Sequence, residues 1–246
     1  MQNRYVGDIG DYGKYALLRC LVKSGYSLGI NWYLTPDESH NADGKHTTYL
    51  QKGIHRNYDE ELFDCLKELV DNNRRSVFQV QQAMIFPENT LFYDDILEFG
   101  GVADVEKRRM IRKTWHTNAC NQLENSELVF LDPDNGFQVD SVSLTSQKGN
   151  KYIGLTELIS YYTNGKSIVF YNHRERKKEE DYLDKFRTLQ RNPAFEGAVW
   201  QGLKFPSGTV RDYIFILQPN HAVKITEQID TLLQTQRAKF FSSLQL

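Results

Sequence analysis

Two short stretches of this chain combine residue types able to do chemistry. In "VGDIGDYGKYALL" (6–18), Gly7, Gly10 and Gly13 stand three apart, with Asp8, Asp11 and Lys14 among them and an apolar run following. Glycines in register allow a ligand close to the backbone. In "LVFLDPDNGF" (128–137), a continuous apolar run breaks at Asp132-Pro133-Asp134-Asn135, with Phe137 just beyond. A carboxylate at a strand end can accept a hydrogen bond from an exocyclic amine, and proline leaves neighbouring carbonyls free to accept another. Phe137 can lie flat on a base. Each stretch also has a plainer reading: a helix start capped by Asp11, and a strand ending in ordinary turn residues. The first is neither a phosphate-cradling Walker loop, since Lys14 precedes Tyr15, nor a dinucleotide fingerprint, which needs a preceding strand.

These residues must be positioned by the elements around them. Leu17, Leu18 and Leu21 share a helical face that Gly25 closes. "SLGINWYL" (27–34) predicts a strand, and 35–57 a long polar loop. Leu62, Leu66, Leu69 and Val70 mark a helix, with short strands expected at 76–80 and near Leu91-Phe92-Tyr93. Asp104 opens a helix carrying Ile111, Trp115, Ala119 and Leu123. Leu128 to Leu131 suits a central parallel strand buried on both faces. A helix through Leu155, Leu158, Ile159 and Tyr162, a buried strand at 166–173 and a helix from about Glu175 to Gln190 follow. "GAVWQGLKF" and "RDYIFIL" flank Pro206-Ser207-Gly208 as a hairpin, and Ile225, Ile229, Leu232 and Leu233 predict a last helix. The alternation implies one α/β domain over 1–246: a Rossmann-like three-layer sandwich, its mostly parallel sheet ending in an antiparallel hairpin, with 1–25 packed on the core. Ligands in such folds sit outside the carboxyl ends of the strands, placing Asp37, Asp132–Phe137 and Asn172–Arg174 on one rim.

A net charge of −2 over 246 residues excludes an overall basic field, so any nucleic acid must meet a local patch. Lys107, Arg108, Arg109, Arg112 and Lys113 on one helix are that patch's candidates, with the alternative that they form a solvated face. Cys20, Cys65 and Cys120 lie far apart, as expected of thiols in a reducing, cytoplasmic setting. No apolar run approaches a membrane span. His40, His46 and His55 stand near Asp37 and Glu38, but no pair has metal-ligand spacing, so a polar loop is the expectation there and no metal is assigned.

"GDIGDYGKYALL" resembles the N-terminal G-N-x-A-D-x-x-K-H segment of the bacterial large-subunit ribosomal RNA adenine methyltransferases. Gly7, Asp8, Asp11 and Lys14 fall on its Gly, Asn, Asp and Lys, while Gly10 replaces Ala and Tyr15 replaces His. "LDPDNGF" is similar to the D-P-P-Y/F motif of amino-methyltransferases, with Asp134 at the second Pro, Asn135 at the aromatic position and Phe137 two residues later. The element order also resembles that of these enzymes and of the related three-Cys-motif partner proteins. No D-x-G-x-G follows the first strand. The resemblance implies a methyltransferase-type fold that binds S-adenosylmethionine and acts on an exocyclic amine, with adenine in RNA or DNA as a candidate. It implies that Gly7, Asp8, Gly10, Asp11, Lys14 and Asp37 line the donor pocket, Lys14 pairing with the donor's carboxylate. Asp132, Pro133, Asp134, Asn135 and Phe137 would then form the amine site. Two rivals stand beside it: a nuclease or phosphohydrolase with Asp37, Asp132 and Asp134 around magnesium, and a non-catalytic nucleotide-binding protein.

Overall fold

The run Leu128–Leu131 forms a strand with every side chain buried, and the rest of the molecule is built outward from it. The computed structural model describes residues 1–38, 44–235 and 239–246. Their principal elements, in chain order, are α1 (Ile9–Leu21), β1 (Leu28–Asn31), α2 (Glu60–Asp71), α3 (Val77–Gln82), β2 (Leu91–Tyr93), α4 (Val105–Gln122), β3 (Leu128–Leu131), β4 (Gly136–Phe137), β5 (Tyr152–Ile153), α5 (Leu155–Thr163), β6 (Ser167–His173), α6 (Glu179–Gln190), β7 (Val199–Phe205), β8 (Arg211–Leu217), α7 (Pro219–Gln234) and β9 (Ser242–Leu244).

Seven strands form one sheet in the order β2-β1-β3-β6-β8-β7-β9. The pairs β2/β1, β1/β3 and β3/β6 are parallel. β8 runs against both β6 and β7, and β9 against β7, so only β8 and β9 oppose the common direction. Side chains alternate across the sheet. Leu128 and Phe130 face a layer containing α1, α2, α3 and α7, while Val129 and Leu131 face one containing α4, α5 and α6. This is the Rossmann-like three-layer α/β sandwich with an antiparallel C-terminal hairpin. From β1 the chain steps outward to β2 and then crosses to β3 on the other side. The switch point, where ligands of open α/β sheets bind, therefore lies between the ends of β1 and β3.

Local departures have identifiable causes. The strand expected at 76–80 is helix α3: Ser76 caps it by accepting from the Gln79 N–H at 3.2 Å, and Val77 and Val80 are buried at helical spacing. Asp8 rather than Asp11 caps α1, accepting the Asp11 N–H at 2.9 Å, so the helix begins three residues earlier than expected. The polar 35–57 segment contains short turns of 3-10 helix at Thr48–Gln51 and Gly53–His55. His40 lies outside the described residues.

Candidate active site

Helix α1 starts under the carboxyl ends of β3 and β6, and a cleft of about 390 Å³ opens there. Its walls include Asp8, Gly10, Asp11 and Lys14 from α1, Asp132–Asn135 from the end of β3, Tyr171 and His173 from β6, and Thr209 and Arg211 from the hairpin, with Met1, Tyr5, Gly44 and His46 alongside. The volume suits one small ligand.

Lys14 is the centre of the acidic end. Its ammonium donates to Asp11 Oδ1 at 2.7 Å and to Asp132 Oδ2 at 2.6 Å. The Tyr15 hydroxyl donates to the other oxygen of Asp11 at 3.0 Å. Burial pushes both the Asp11 and the Asp132 carboxyl above the usual range, against the opposing pull of Lys14. For Lys14 itself burial acts to lower the pKa, but the two carboxylates outweigh it and hold the ammonium above its ordinary value. One cation between two buried carboxylates leaves an acceptor in excess.

Beside this triad the Met1 ammonium donates to the carbonyls of Tyr33, at 3.0 Å, and Asp132, at 2.8 Å, bridging the ends of β1 and β3. It also stands 2.8 Å from Asp134 Oδ1. Burial would raise Asp134, but the ammonium outweighs it and keeps the carboxyl below its ordinary range. Tyr33 turns the chain away from β1 with φ +43°, a left-handed conformation rare for a bulky side chain.

At each of the three glycines a Cβ would meet a side chain of the protein itself. Gly7 takes φ +83° where a Cβ would meet Val70. A Cβ on Gly13 would stand 2.2 Å from the Phe205 ring, and one on Gly10 2.2 Å from Arg211 Nη1. The register thus lets α1 lie close on the hairpin.

The structure brings together Asp8, Gly10, Asp11, Lys14, Asp132, Pro133, Asp134 and Asn135, and leaves out three other expected members. Gly7 faces α2. Asp37 is exposed and accepts the Arg4 N–H at 3.3 Å. Phe137 is drawn off by the pairing of β4 with β5 and packs on the second core layer, so it cannot stack on a base in this cleft. Its N–H donates to Asn172 Oδ1 at 2.8 Å. Asp37, Asp132 and Asp134 therefore share no cation site, and among the described residues no three His, Cys, Asp or Glu side chains form one. Nor is Lys14 open to a donor carboxylate, since it already holds two carboxylates of its own.

The basic helix divides. Lys107, Arg109 and Lys113 are exposed. Arg108 turns back to the carbonyls of Val102, Ala103 and Thr145. Arg112 is buried against Glu157, at 2.7 Å and 2.8 Å, so it cannot meet a phosphate backbone.

Sequence reasoning missed Tyr171, Thr209 and Arg211 and read His46 only as a loop histidine. One signal pointed to Arg211: it opens the strand "RDYIFIL", separated by two residues from the Pro206-Ser207-Gly208 turn and ahead of the apolar run from Tyr213, and a charge there needs a reason. No helix among the described residues is long and apolar enough to cross a membrane. The chain matches no protein-family model and no curated protein sequence.

Proposed function

We propose that this protein is a methyltransferase-like protein that binds S-adenosylmethionine in the cleft and acts on an exocyclic amine, with adenine in a nucleotide or nucleic acid as the candidate. The observation that carries the reading is the position of Asp132: it follows the central strand β3 beside Pro133, lines the cleft and shares the Lys14 ammonium with Asp11. Four carboxylates line the cleft, Asp8, Asp11, Asp132 and Asp134, against Lys14, Arg211 and the Met1 ammonium. That excess suits a cationic sulfonium and an amine that donates hydrogen bonds.

When bound, S-adenosylmethionine supplies the methyl group. In this reading Asp132 accepts one amine N–H and the Pro133 carbonyl accepts the other. Lys14 fixes Asp132 in its rotamer, and the Asp11–Lys14–Asp132 triad can hold the proton that leaves the amine. A second reading, nucleotide binding without transfer, is favoured by the turn after β1, which carries Tyr33 and the Met1 ammonium in place of glycines. Calorimetry with S-adenosylhomocysteine, together with transfer of labelled methyl to adenine-containing RNA and DNA, tests both. Binding is expected, together with transfer that is lost in Asp132→Ala. Binding without transfer leaves the second reading, and no binding at millimolar ligand removes the first.

A further inference from the structure

Arg211 is 8 % exposed, yet its guanidinium has no carboxylate within 4.0 Å among the described residues. Among the described residues its acceptors are the Ser207 carbonyl, 3.3 Å from Nη1, and the Tyr171 hydroxyl. The group stacks on Phe205, with Cζ 5.6 Å from the ring centroid, and lies over Gly10 in the first turn of α1. Taking a guanidinium out of water without a counter-ion is unfavourable, and five N–H donors need more than one carbonyl. The acid whose charge acts on it is Asp8, and one oxygen of Asp8 already accepts the Asp11 N–H at 2.9 Å. What remains open to Arg211 is the cleft itself, where Thr209, His173 and His46 share its wall.

We infer that Arg211 is the anchor of a phosphoryl-group subsite, so that the ligand of the cleft carries a phosphate at the hairpin end and a hydrogen-bond-donating head at the Asp132 end. A planar fork of donors matches two phosphate oxygens at once. The Thr209 hydroxyl, on the same wall, can serve a remaining oxygen. Gly10 is what lets the fork lie on that helix end, since any Cβ there would displace it. The subsite does not depend on methyl transfer and stands if that reading fails.

The test is calorimetry on the intact protein at fixed ionic strength, with inorganic phosphate, adenosine 5′-monophosphate, adenosine and acetate as probes. The monophosphate should bind at least about tenfold more tightly than adenosine, as a charge-assisted hydrogen-bonded pair provides. Inorganic phosphate should bind and compete with it, and acetate should not. Arg211→Gln should bring the ratio of the two nucleoside affinities close to one, while Arg211→Lys keeps part of it. Gly10→Ala gives the same loss by a route that leaves the arginine in the chain, and it carries the test if Arg211→Gln does not fold. Equal affinity for monophosphate and adenosine overturns the subsite, as do absence of phosphate binding, acetate competing as well as phosphate, or a ratio unchanged in these variants. S-adenosylhomocysteine carries no phosphate, so its binding reports on the methyltransferase reading alone.

Discussion

Arg112 and Arg211 are buried almost alike, at 6 % and 8 % exposure, and the molecule treats them in opposite ways. Arg112 uses its whole fork. It contacts both oxygens of Glu157 and donates to the carbonyls of Gly149, at 2.8 Å, and Tyr152, at 2.6 Å, joining α4 to the start of α5. Arg211 lies at the cleft and meets only neutral acceptors among the described residues, the Ser207 carbonyl at 3.3 Å and the Tyr171 hydroxyl. The first region is a closed electrostatic unit whose role is complete within the fold. The second keeps hydrogen-bonding capacity that the fold does not consume, next to a triad with a carboxylate in excess. A desolvated charge whose donors stay open makes the cleft, and not the basic helix, the place to look for a ligand.

The sharpest way to break this contrast is to remove the closed unit. Arg112→Met strands Glu157 in the core and is expected to cost about 3–5 kcal/mol in urea unfolding, with Arg112→Met/Glu157→Met recovering most of it. Burial alone would raise Glu157, but Arg112 outweighs it and holds the folded value below the ordinary glutamate range. Its stabilisation is therefore complete above that range and is lost as pH falls through the depressed value. An Arg112→Met loss under 1 kcal/mol would mean that the two arginines do not differ in kind.

The glycines extend the comparison to α1. Gly13→Ala drives a methyl into the buried Phe205 ring. Overpacking of this sort costs about 1–3 kcal/mol, against about 1 kcal/mol of helix propensity that alanine adds. A net loss of up to about 2 kcal/mol is expected. Gly10→Ala first meets the movable end of Arg211, so the helix gain should survive and stability should stay within about 1 kcal/mol. Equal losses at the two positions would show Arg211 to be as fixed as Phe205.

The acidic end carries an opposite sign from Glu157. Burial raises Asp132 and Asp11 in the folded state, with Lys14 pulling the other way. Protonation thus favours the fold, and the penalty grows as pH rises from the ordinary aspartate range through the raised values. Asp132→Asn should leave the protein between zero and about 2 kcal/mol more stable at pH 7, with the difference vanishing below the ordinary aspartate range. Paired urea titrations at neutral and acid pH read this directly. A variant less stable at pH 7 would place Asp132 among the structural charges, with Arg112.

Periodicity and turn chemistry made most of the sheet legible, because the buried runs 128–131 and 167–173 and the Pro206-Ser207-Gly208 turn are local signals. The strand-end Asp132 was legible for the same reason. What a linear reading could not supply was partnership across the chain. Arg112 looks like its basic neighbours until Glu157, 45 residues on, is brought against it. Phe137 looks available until Asn172 accepts its N–H and β5 pairs with its strand. Arg211 becomes part of a site only because the hairpin returns it beside the end of β6, where it pairs in register with His173.

The smallest expected effect on stability discriminates best between the two regions. Arg211→Met keeps the apolar stem on Phe205 and removes a buried guanidinium that has no ion-pair partner among the described residues. No carboxylate is stranded within ion-pair distance, so the loss that follows at Arg112 has no counterpart here. The relief of desolvation works against the loss of the Ser207 and Tyr171 hydrogen bonds and the cation–π contact, each worth about 1 kcal/mol. The two sides should nearly cancel, and the urea midpoint should move by no more than about 1 kcal/mol in either direction. Residues retained for a ligand typically weaken or leave unchanged the empty fold, and this substitution measures that property without any ligand being known. A destabilisation of 3 kcal/mol or more would make Arg211 a second structural arginine.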